Sequence, residues 1–127
     1  MFANTKATNG FAVDDIEAAK RFYGETLGLP VKVMSEEFGV TSIGLAGGRD
    51  TLMYAKPDFV PATYTILNFE VDDVDAAVDG LVSRGVEMER YEGFEQDEKG
   101  IARNAGPAIA WFKDPAGNIL SVLQQPS

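Results

Sequence analysis

Hydrophobic and polar positions recur along this chain in a block that occurs twice. Residues 11–19 read Phe-Ala-Val-Asp-Asp-Ile-Glu-Ala-Ala, and residues 69–77 read Phe-Glu-Val-Asp-Asp-Val-Asp-Ala-Ala. Phe, Val, both Asp and both Ala coincide at one offset, the mark of a repeated structural unit. In each copy a short strand runs into a helix. Val74, Ala77, Val78 and Leu81 form an i, i+3, i+4, i+7 stripe in the second helix. Ile16, Ala19, Tyr23 and Leu27 do the same in the first, with Phe22 beside them. Gly28 and Gly85 supply the left-handed position that ends a helix, and Pro30 prevents the first from resuming.

The acidic junctions read as helix starts. Asp14 and Asp72 sit where an N-cap belongs, and Glu17 and Asp75, three residues on, fit or imitate a capping box. Acidic side chains there also suit the positive end of the helix dipole. After the first helix, strands are expected at 31–36, 38–45 and 51–55, broken at Gly39 and by the turn Gly47-Gly48-Arg49-Asp50. After the second, they are expected at 86–91, 107–113 and 118–124, with a hairpin turn over 114–118. Asp114 in that turn looks catalytic in isolation, but Asp, Pro and Gly at these spacings are turn chemistry. Segment 92–106 has no clear period and reads as either a lid or a plain surface loop. Pro57 to Pro61 connects the halves. The expectation is one α+β domain over 1–127, with repeat modules of about 1–59 and 62–127.

Composition narrows the chemistry. At 127 residues, 45% hydrophobic and 24% charged, the chain is an ordinary globular domain. A formal net charge of −9 argues against nucleic acid as a partner, and no apolar run suits a membrane span. The N-terminus Met-Phe-Ala-Asn-Thr-Lys lacks a secretory pattern, so a cytoplasmic location is the default expectation. The chain has no histidine and no cysteine. That removes the usual general base, the commonest transition-metal ligands, and every Ser-His-Asp or Cys-His nucleophilic site.

The block Val-Asp-Asp-x-x-x-Ala-x-x-Phe-Tyr at 13–23, with Phe-Lys-Asp-Pro-Ala-Gly-Asn at 112–118, resembles the vicinal oxygen chelate superfamily of glyoxalases, extradiol dioxygenases and bleomycin-resistance proteins. The resemblance covers nearly the whole chain. It implies two βαβββ modules forming a curved mixed sheet around a cleft, helices outside, commonly in a homodimer. Metal-dependent members carry ligands at four positions, which fall here on Thr8, the Met53 region (with Leu52 and Tyr54 beside it), Ile66 and Ser121. None is a carboxylate or an imidazole, so the resemblance implies no metal and no cofactor. Glyoxalase and dioxygenase chemistry, which needs the metal as Lewis acid, is disfavoured.

Strand alternation then proposes a lining for the cleft. With Thr8 go Gly10 and Ala12, while Phe11 and Val13 pack on helices; with Ile66 go Tyr64, Asn68 and Glu70; with Ser121 go Ile119 and Leu123. Trp111 and Phe112 point opposite ways, and alternation does not say which looks inward. The candidate ligand contacts are thus Thr8, Met53, Tyr54, Tyr64, Ile66, Asn68, Glu70, Trp111, Phe112 and Ser121. Glu70 is the candidate for a charged contact or a general base. The functional expectation is a metal-independent protein that binds and sequesters a small aromatic or cationic molecule. Two alternatives remain: a metal-free lyase or isomerase using Glu70 or a tyrosine, and a binding subunit that passes small molecules to a partner.

Overall fold

Strands form where β-branched and aromatic residues alternate, and both repeats order them alike. The structure, a computed structural model, describes residues 1–104 and 106–126. It divides into two compact units, Met1–Val60 and Pro61–Ser127. The first contains β1 (Asn9–Val13), α1 (Ile16–Arg21), β2 (Val31–Ser35), β3 (Val40–Leu45) and β4 (Arg49–Ala55). Its sheet runs β1-β4-β3-β2, with β1 and β4 parallel and the other pairs antiparallel. The second contains β5 (Thr65–Glu70), α2 (Val74–Ser83), β6 (Ala108–Lys113) and β7 (Ile119–Gln124), ordered β5-β7-β6 with β5 and β7 parallel. This is an α+β fold of two βαβββ-like modules with mixed sheets.

The module plan requires a fourth strand in the second unit, and 86–91 was its expected place. That segment forms no strand. It is reduced to a bridge between Met88 and Phe112, with Glu89 N–H donating to the Trp111 carbonyl (2.8 Å). It still lies beside β6, as β2 lies beside β3. In the first unit, Arg49 and Asp50 belong to β4 rather than to the preceding turn, and β3 starts at Val40.

Both N-caps fall one residue later than the motif suggests. Asp15 and Asp73 have extended backbones (φ −122° and −143°), and their carboxylates accept from Glu17 and Ala18 N–H, and from Ala76 N–H, respectively. Asp14 instead accepts from Asp15 N–H. The shift makes Glu17 and Asp75 second-position residues, too early to close a capping box. Glu17 pairs with Lys20 (2.9 Å), one turn along. After α1 the chain makes one wider turn over Phe22–Thr26, with Leu27 N–H reaching the Phe22 carbonyl, before Gly28 (φ +72°) ends it.

Each helix covers one sheet face. Phe11 stacks on Tyr23 with ring centroids 5.5 Å apart, which assigns Phe11, and its ladder partners Met53 and Thr41, to the helix side. In the second unit the Gln124 side chain accepts from Val74 N–H at the start of α2. Gln124, Val122 and Leu120, with their partners Ala110 and Phe112, therefore form the α2 side. Val74, Val78, Phe112 and Leu120 are all at most 1% exposed, and burying a side chain of this size is worth about 1.5–3 kcal/mol. No helix among the described residues is long and apolar enough to cross a membrane.

Candidate functional site

With α2 occupying one face of the β5-β7-β6 sheet, alternation assigns the other face. Asn68, Ser121 and Trp111 are register partners across its three strands, and Glu70, Leu123 and Ile109 form the next rung. The Ser121 hydroxyl donates to Asn68 Oδ1 at 2.6 Å. Trp111 thus looks away from α2, and Phe112 lies under the helix, fully buried. This placement removes Phe112 from the face opposite α2 and keeps Trp111 on it.

Two further aromatic residues join Trp111. Tyr91 meets it edge-on with centroids 5.5 Å apart, and Phe94 lies tilted at 5.0 Å. Phe94 is 48% exposed, whereas the Tyr91 hydroxyl is buried with no hydrogen-bond partner among the described residues. Burial, aided by the nearby Glu89 carboxylate, pushes the Tyr91 phenol above its ordinary range, although Lys113 opposes this. The hydroxyl is therefore held as a neutral donor. Neither Tyr91 nor Phe94 was among the candidates read from the sequence. Tyr91 ends the segment expected as a strand, and Phe94 is the one ring in the polar, aperiodic stretch that follows.

That stretch is pinned in place. The Gln96 side chain donates to the Glu89 and Gly100 carbonyls and accepts from Tyr91 N–H. Asp97 accepts from the backbone N–H groups of Lys99 and Ile101 and from the Arg103 guanidinium. Arg103 also binds Asp75 on α2 (3.0 Å), and Lys99 binds Asp79 there (3.1 Å). Arg90 donates to the Asp97 and Glu98 carbonyls. Ile101 is 1% exposed and acts as an anchor beneath the turn.

The remaining candidates separate. Asn68 and Glu70 lie exposed on the Trp111 face, and Ser121 lies buried on it. The β5 ladder slips one residue at Ile66, so alternation does not carry from Asn68 back to Tyr64, which is 70% exposed. In the first unit, Met53 is fully buried on the helix side. Tyr54, with Gly10, Ala12 and Leu52, occupies the opposite face. Thr8 precedes β1 and is exposed. Among the described residues no three His, Cys, Asp or Glu side chains gather into a metal-binding group.

Comparison with known proteins fits this architecture. No curated protein matches the sequence significantly. Among solved structures, TnmS3, an antibiotic binding protein from Streptomyces sp. CB03234, superposes with a TM-score of 0.71 at 25% identity, over 97% of this chain and 98% of its own. A glyoxalase/bleomycin resistance protein from the same source gives 0.66 at 26% identity, covering 94% and 100%. Lactoylglutathione lyase from Agrobacterium tumefaciens gives 0.69 at 19% identity, covering 96% and 95%, a likeness of fold. Residues 7–122 match a family described as the Glyoxalase/Bleomycin resistance protein/Dioxygenase superfamily, and the chain belongs to that superfamily.

Proposed function

We propose that this protein is a metal-independent binder of a planar aromatic small molecule, taken on the Trp111 face of its second module. The observation that carries the reading is the cluster of Trp111, Tyr91 and Phe94, with a buried phenol that has no hydrogen-bond partner among the described residues. Stacking on such rings contributes about 0.5–1.5 kcal/mol per pair. A ligand carbonyl or other acceptor that reached the Tyr91 hydroxyl would give it a hydrogen-bond partner. A solved relative at 25% identity is an antibiotic binding protein, which supports the binding of a small molecule.

The four family ligand positions do not fit a metal. Thr8, Ile66 and Ser121 offer no anionic or imidazole donor, the Ser121 hydroxyl is already bonded to Asn68, and Met53 lies in the core on the helix side. Glu70, exposed on the Trp111 face, keeps a metal-free proton transfer as the second reading; turnover of a bound ligand that Glu70→Gln abolishes would favour it. The family also implies a homodimer, which light scattering in solution checks.

Trp111 is the chain's single tryptophan, so its emission reports directly on the site. Titration with a panel of fused-ring aromatic carbonyl compounds is expected to give saturable quenching. Phe94→Ala should weaken that binding about tenfold, and Tyr91→Phe by a smaller factor. Quenching that never saturates, or affinities unchanged in both variants, would overturn the proposal.

A further inference from the structure

A second site lies on the α2 side of the second module. A groove of about 710 Å³ runs between the end of α2 and the segment that follows it. Its apolar lining includes Val78, Val82, Val86 and Met88. Val82 is 54% exposed there, one i, i+4 step beyond the buried Val78. The volume falls within the range of small-molecule sites, roughly 300–1,000 Å³.

Charge decides what fits. Glu87 and Glu98 line the groove, and neither carboxylate makes an ion pair or hydrogen bond among the described residues. Of the two cations of the lining, Lys99 is ion-paired with Asp79, and Arg90 is turned onto the Asp97 and Glu98 backbone carbonyls. The groove also sits at the C-terminal, negative end of the ten-residue α2. An anion would be repelled by these two exposed carboxylates, a neutral molecule would gain nothing from them, and a cation would be attracted by both.

We infer that this groove binds an amphipathic organic cation, its ammonium group held by Glu87 and Glu98 and its hydrocarbon body lying on Val82, Val86 and Met88. The site is separate from the Trp111 face and does not depend on what binds there.

Three probes with the same chain and different heads test this: hexylammonium, hexanol and hexanoate, each titrated while the methyl resonances of Val82, Val86 and Met88 are followed by NMR. Hexylammonium should shift these methyls saturably and bind at least fivefold tighter than hexanol, with hexanoate weakest. Glu87→Gln/Glu98→Gln, changing two surface carboxylates and no core residue, should bring hexylammonium down to the level of hexanol. Trp111 emission should not change in either protein. Equal affinity for the three probes, an unaffected double variant, or no saturable shift would overturn the inference. Dilution-dependent methyl shifts without any probe would assign the groove to a second copy of the chain and overturn it equally.

Discussion

Asp114 commits its carboxylate to the turn it begins. It accepts from Ala116 N–H (3.0 Å), Asn118 N–H (2.9 Å) and the Asn118 side chain (3.2 Å), while Gly117 adopts φ +95°. Only 4% exposed, it cannot exchange these bonds for water. Asp114→Ala should therefore destabilise the protein by about 2–3 kcal/mol in urea unfolding without altering ligand-induced quenching of Trp111. Thr51 makes the opposite case. Its hydroxyl is buried without a partner among the described residues, so Thr51→Val should raise stability by up to about 1 kcal/mol. The role of Asp114 was legible in the sequence because its partners lie within four residues. Nothing local distinguishes Thr51 or Tyr91, whose surroundings are set by distant segments.

Helix starts show how far an element can be read from its own residues. The Val-Asp-Asp motif located both helices but not which Asp caps them, since both are good caps and the choice rests on backbone dihedrals. Asp15→Ala should cost about 1 kcal/mol and Asp14→Ala less, measured by thermal unfolding of the two variants side by side. The turn over 92–104 was legible only as irregular, because the pairs that hold it join residues up to 28 positions apart, as Arg103 and Asp75 are. Burial pushes the Asp97 carboxyl upward, but hydrogen bonds from Ile101 and Lys99 N–H and from Arg103 outweigh this and hold it below its ordinary range. A carboxyl lowered in the folded state stabilises above its unfolded pKa, about 4, and loses that contribution as pH falls further. The difference in melting temperature between wild type and Asp97→Asn should accordingly narrow as pH drops from about 5 to about 3.

At the scale of the whole molecule, the two modules share one strand order, yet the second carries a bridge where the first carries β2. Tyr91 ends that reduced segment, and Phe94 follows it in the pinned turn. The proposed absence of metal chemistry predicts that added nickel, zinc, manganese or iron leaves the melting temperature unchanged; a large metal-dependent rise would refute it. The sequence by itself determined the repeat, the two amphipathic helices and the turn at Asp114. All of these depend on residue identity and short spacing. Only the tertiary structure decided that Met53 and Phe112 face helices, that Trp111 faces away, and that the Tyr91 and Phe94 rings join it. Alternation defines two faces of a strand without naming them; the helix that packs on one face makes that choice.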